Sequence, residues 1–158
     1  MMTRPMITRM VLLGLLAGCR AAPSEPIGQV PPEVLNAPNE IVVGNTTVRL
    51  DISPWRDFQP GTSPDTRLMT LFQITAGTGS LPPGLRPEKA WLVRDSEAWS
   101  SVPRQEMPPS SASKADYVSR SGPTWPVGTL VTGILQLRDA VNNSYLLRSP
   151  VQPIGRAD

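Results

Sequence analysis

The sequence predicts an all-β fold, a two-sheet β-sandwich of about seven strands in residues 40–158. Short β-rich segments recur through this region, separated by Pro-, Gly- and Ser-rich loops at 77–88, 101–114 and 121–128. No long stretch repeats its apolar residues every 3.6 positions, as an amphipathic helix would. The nineteen prolines also oppose long helices, because proline lacks a backbone donor and clashes with the preceding turn.

The predicted strands follow one another with turn signals between them. The segments are 41–43, 47–52, 67–76, 89–94, 115–120, 130–138 and 145–151. Gly44-Asn45 is a turn signal between the first two. In the second, Val48, Leu50 and Ile52 alternate with polar residues, which is typical of a strand with one buried face. A domain of this size buries enough surface to fold without disulfides.

The last two segments predict a hairpin that supplies central strands, with Leu135 and Leu137 pointing into the core. Residues 128–144 read GTLVTGILQLRDAVNNS. This stretch resembles the final hairpin of bacterial immunoglobulin-like domains, in which Gly-Thr precedes an alternating strand and an Asp-Ala-x-Gly-Asn turn. Asn142 stands where that family has glycine, and asparagine tolerates the positive φ that such a turn requires. The resemblance implies an immunoglobulin-like sandwich and no particular function.

The first eighteen residues predict a cleaved secretion signal helix. Arg4 and Arg9 form a positive region, and Met10 to Leu16 is an apolar run shorter than the roughly 20 residues that span a bilayer. Leu16-Ala17-Gly18-Cys19 then resembles the lipobox of bacterial lipoproteins. The alternative is a buried N-terminal helix with an incidental cysteine.

The lipobox resemblance implies cleavage between Gly18 and Cys19 and attachment of a diacylglyceryl group to the Cys19 thiol. Two or more acyl chains give stable anchoring. Residue 20 is arginine rather than the aspartate of an inner-membrane retention signal. We therefore expect a lipid-anchored protein of the bacterial cell envelope, on the outer membrane, facing periplasm or surface, if the cell has two.

Residues 19–39 predict a lipid anchor followed by a proline-rich tether. Twenty residues of extended polyproline chain reach roughly 60 Å. The alternative is that part of this segment packs along the domain as an irregular edge, since Ile27, Val30, Val34 and Leu35 are apolar.

Charge and residue usage exclude several function classes. Cleavage after residue 18 removes two of the fifteen cations and none of the thirteen acids, which leaves a neutral mature chain. Nucleic-acid binding needs a basic surface and is not expected. With no histidine and one cysteine, the usual zinc and copper ligand sets and the common nucleophile–histidine pairs cannot form. We expect no metal and no cofactor.

Two groups of polar residues are candidate sites. The carboxylates Asp51 and Asp57, and Asp95 and Glu97, are close enough in sequence for hydrolase or calcium chemistry, but charged residues at strand ends and in turns are usually solvated, and this is the favoured interpretation. Asp139, Asn142 and Asn143 could contribute to a calcium site, but residues of these types are typical of turns, and the turn is the favoured interpretation. No catalytic residue is assigned.

The aromatic residues predict a recognition surface formed by Trp55, Arg56, Phe58 and Trp125. The first three fall in a sequence flanked by Pro54 and Pro60, which predicts a pre-ordered loop, and aromatic rings with arginine are enriched at interfaces. The alternative is that the tryptophans plug an open end of the sandwich. The expected function is therefore non-catalytic binding of an envelope protein or glycan, or structural support. The alternative is an enzyme accessory subunit or a weak carboxylate-based hydrolase.

Overall fold

The computed structural model describes residues 28–58 and 67–158, and these form a two-sheet β-sandwich. The all-β prediction is confirmed; the immunoglobulin-like resemblance stays a prediction. The elements are β1 (Gly28–Gln29), α1 (Pro32–Leu35), β2 (Glu40–Val43), β3 (Thr46–Asp57), β4 (Met69–Ala76), β5 (Arg86–Arg94), β6 (Glu97–Ser101), β7 (Lys114–Ser119), β8 (Leu130–Arg138), β9 (Ser144–Pro153) and β10 (Gly155–Ala157).

The first sheet has the strand order β1-β6-β5-β8-β9, with all neighbours antiparallel. The predicted hairpin is confirmed as β8 and β9, in which Leu135 lies opposite Leu147. Asn142 has a φ of 70°, so asparagine does take the left-handed conformation in its turn. Strand β8 lies inside the sheet between β5 and β9, whereas β9 is an edge strand, so the prediction that the hairpin supplies central strands is correct for β8 and wrong for β9.

The second sheet has the order β10-β3-β4-β7, and β2 also pairs with β3. Antiparallel β2 covers the first part of β3, and parallel β10 covers the last part. Residues 50–54 lie between these two pairings. Pro54 falls within that gap, so its missing N–H removes no ladder hydrogen bond on this edge of β3.

Alternate residues of both sheets point inward and form the main core. Val48, Leu50 and Ile52 of β3 are buried, as the alternation predicted. Leu135 and Leu137 are both fully buried in the same cluster, which confirms their predicted orientation. Packing between the sheets therefore provides the apolar core, in a chain that has only one cysteine.

The two sheets approach each other closely at Gly133. A Cβ placed there would lie 2.4 Å from Ile52 Cγ2 and 3.1 Å from Phe72 Cε1. The register of β8 on β9 also shifts at this residue, and its N–H donates to the buried hydroxyl of Ser149 at 2.9 Å. Only glycine fits here without displacing a neighbour.

Residues 28–38 cross the outer face of the first sheet, and we call this segment the strap. It begins as β1 on the edge of β6, and it ends where the Pro38 carbonyl accepts the Arg148 N–H of β9 at 2.8 Å. Val34 and Ala37 of the strap are buried in a small cluster with residues of β5, β6 and β8. The alternative of packing along the domain thus applies to 28–38, and the predicted tether boundary at residue 39 is corrected. The signal, Cys19 and residues 20–27 lie outside the described residues.

Candidate functional site

Trp55, predicted in a loop, lies instead near the end of strand β3. Successive strand residues point to opposite faces, and Pro54 points into the sandwich. Trp55 therefore lies on the outer face of the second sheet, half-buried, opposite Met69 of β4. The loop prediction is wrong because the alternation of buried and exposed residues that begins at Val48 continues through Pro54 to Trp55.

Arg56 and Phe58 lie on the side of this segment that is opposite to Trp55. The Arg56 guanidinium carbon is 5.0 Å from the Phe58 ring centroid, and that of Arg156 is 4.7 Å from it. The Phe58 N–H donates to the Ala157 carbonyl at 2.8 Å, which extends the β3–β10 pairing by one step. These contacts hold the C-terminal strand against β3 and give each guanidinium an aromatic partner.

Trp125 is 4% exposed and belongs to the main core. The Arg94 guanidinium carbon lies 4.8 Å from the centroid of the Trp125 ring. The Trp125 carbonyl oxygen lies 3.5 Å from Arg56 Nη1. The ring plugs one end of the sandwich, in agreement with the alternative prediction for the tryptophans. Trp125 is thereby removed from the predicted recognition surface, because a buried ring presents no area to a partner.

The four predicted recognition residues thus do not form one surface. Of the four, only Trp55 lies on the outer face of a sheet, where cross-strand register sets its neighbours. Half-buried Met69, Leu71 and Val118 lie in the adjacent rows, and we call these three with Trp55 the tryptophan face. Sequence reasoning missed these neighbours, since they come from two other strands, β4 and β7, whose register with β3 no single segment shows.

The tryptophan face adjoins a polar row of the same sheet. Asp51, Gln73 and Asp116 lie side by side across β3, β4 and β7, and Gln73 Nε2 donates to Asp116 Oδ1 at 2.9 Å. A sheet face that carries an aromatic ring together with amide and carboxylate groups can contact either a sugar ring or an extended peptide.

A groove of about 240 Å³ lies on the outer face of the first sheet, beside the strap. Exposed Leu130 and Val151 form part of its apolar wall, and Asp95 and Arg148 supply opposite charges. Sequence reasoning did not find this groove, because residues of β5, β8, β9 and α1 line it.

Asp139 is a turn-stabilising carboxylate rather than a cation ligand. It accepts hydrogen bonds from the N–H groups of Val141 and Asn143, from Asn143 Nδ2 and from the Tyr145 hydroxyl, at 2.8–3.0 Å. Burial alone raises the pKa of Asp139, but the hydrogen bonds from Asn143, Tyr145 and Val141 outweigh it and lower the pKa. Both oxygens thus already have partners.

The paired carboxylates are not brought together as a catalytic pair. Asp51 and Asp57 are six residues apart on one strand, about 20 Å, whereas glycosidase carboxylates are roughly 5–9.5 Å apart. Glu97 pairs with Arg94, and Asp95 occupies a tight turn with a φ of 51°. Within residues 28–58 and 67–158, no three metal-ligating side chains come close enough to hold an ion.

Gly18 and Cys19, the predicted cleavage and lipidation residues, lie outside the described residues. Among those that are described, no helix has the length and apolar character needed to cross a membrane.

No family model, curated protein or solved structure matches the chain.

Proposed function

We propose that this chain is a lipid-anchored, non-catalytic domain of the bacterial cell envelope, held in the membrane through acylated Cys19. The observation that carries the proposal is the order of features in residues 1–19: positive charge, apolar run, two small residues and cysteine. A folded β-sandwich that begins nine positions after that cysteine is consistent with export and anchoring.

Mass spectrometry of the protein purified from its own membranes tests the anchor. We expect a mature N-terminus at Cys19 that carries acyl chains, and we expect Cys19→Ser to leave an uncleaved precursor. A mature N-terminus at another residue, or an unmodified Cys19, would refute the proposal.

We further propose that the domain acts by binding an envelope protein or glycan, or by structural support, and that Trp55 contributes to recognition. Its ring lies on the outer face of the second sheet, which also carries the hydrogen-bonding row of Asp51, Gln73 and Asp116, and this supports contact with a partner. Crosslinking the intact lipoprotein in its membranes tests this proposal. Trp55→Ala should weaken recovery of the partner, whereas Leu130→Ala, on the other sheet, should leave it unchanged. Full recovery with folded Trp55→Ala would exclude a role for this ring.

A further inference from the structure

One long side of the sandwich carries both the N-terminal strand and a long connection. β1 pairs with the outer edge of β6 in the first sheet. Residues 102–113 then run along the outer edge of β7 in the second sheet. Arg104 exchanges two backbone hydrogen bonds with Val118, of 2.8 and 2.9 Å, and Ser111 forms a bridge to Lys114. We call β1, β6 and residues 102–113 the anchor side.

The anchor side exposes two large apolar side chains. Val102 is 67% exposed and Met107 is 70% exposed, and they flank Arg104 in the chain. Arg120 on this side pairs with Glu106, whereas Arg104 and Lys114 form no ion pair among the described residues. Apolar side chains beside uncompensated cations match a lipid interface with anionic headgroups.

Chain length keeps this side close to the anchor. Nine residue steps separate Cys19 from Gly28, the first residue of β1. Even a fully extended chain of that length spans only about 30 Å. This is half of the roughly 60 Å that residues 20–39 would reach as a fully extended tether, because the strap packs on the domain.

We propose that the anchor side lies against the bilayer that holds Cys19, with Val102 and Met107 at the lipid interface. This inference rests on the proposed lipid anchoring. The opposite edge of the first sheet, β9, is four strand spacings or about 19 Å from β1, and it faces away from the membrane.

The full lipidated protein in phosphatidylethanolamine–phosphatidylglycerol vesicles provides the test. Because acylation consumes the chain's one cysteine, an introduced cysteine is its only free thiol. Val102→Cys and Met107→Cys would each carry a polarity-sensitive fluorophore. Val151→Cys is the matched control, since Val151 is 54% exposed on β9. The vesicles contain a lipid with a nitroxide on its headgroup, which quenches nearby fluorophores.

We expect a blue shift and strong quenching at positions 102 and 107, and neither at position 151. The mass of each purified variant first establishes acylation at Cys19. An acylated protein quenched equally at all three positions, or most strongly at 151, would overturn this inference and leave the proposed anchoring intact. An unacylated Cys19 would instead refute the anchoring itself.

Discussion

The main core and the small cluster beneath the strap lie on opposite sides of the first sheet, and they take their residues from different positions along its strands. The main core takes alternate residues of facing strands, such as Leu50 and Ile52 of β3. The small cluster buries the opposite side of the first sheet, where Trp91 and Val93 of β5 meet Val34 of the strap. Strand β5 is therefore buried on both faces, so a continuous apolar run marks the place where a second layer covers a sheet.

The largest effect is expected for Trp125→Ala, which opens one end of the main core. Removal of this fully packed ring should lower the free energy of unfolding by about 3–5 kcal/mol. Urea denaturation measures the loss. Trp55→Ala is the matched control and should cost less, because that ring is half-buried on a sheet face. Equal losses would show that both tryptophans are core residues.

Leu135→Ala tests the centre of the main core. Its side chain is fully buried between the sheets, and we expect a loss of about 2–5 kcal/mol by urea denaturation. Leu130→Ala changes the same residue type on the same strand at an exposed position, and it should stay within about 0.5 kcal/mol of the native protein. A near-neutral Leu135→Ala would contradict the central role of β8.

Val34→Ala tests whether the strap is an integral part of the domain. Val34 is 2% exposed, and loss of two methyl groups from this site should cost about 1–2 kcal/mol. The neighbouring Leu35 is exposed, so Leu35→Ala should have little effect. If Val34→Ala is also neutral, the small cluster contributes no stability and the strap is only loosely attached.

The smallest effect concerns the polar turn at Asp139. Its folded-state pKa is lowered below the ordinary value of 3.8, so the ionised carboxylate stabilises the fold above that pH. This contribution is lost as pH falls below about 4, through the folded pKa. Asp139→Asn should therefore lower the melting temperature at pH 7, and the difference from the native protein should shrink in acid. A difference that is constant with pH would contradict the ionised role of Asp139.

The sequence predicted those strands whose own residues are rich in β-forming types or alternate between apolar and polar. Seven β-rich segments correspond to β2, β3, β4, β5, β7, β8 and β9. The two shortest strands, β1 and β10, have two and three residues and no apolar alternation. Their conformation is set by the edges of β6 and β3, which lie far away in sequence. The strap was predicted as tether because its prolines are local signals, whereas the surface that it covers belongs to strands β5, β6 and β8.

The candidate site was harder to predict than the fold. Trp55, Arg56 and Phe58 are nearly adjacent in sequence, yet a strand sends Trp55 to one face and Arg56 to the other. Trp125 resembled Trp55 in its proline-rich setting, and only its position at the end of the sandwich determines its burial. The neighbours of Trp55 on the tryptophan face depend on β3–β4–β7 register, which no single segment encodes.

Gly133 has a consequence for how sequences related to this one can diverge. The space that a side chain at position 133 would occupy is already filled by Ile52 and Phe72. The sizes of the side chains at these three positions are therefore interdependent. A chain that carries alanine at position 133 must carry a smaller side chain at position 52, or its sheets must move apart. Substitutions at positions 52 and 133 should therefore arise together during evolution, although 81 residues separate them in sequence.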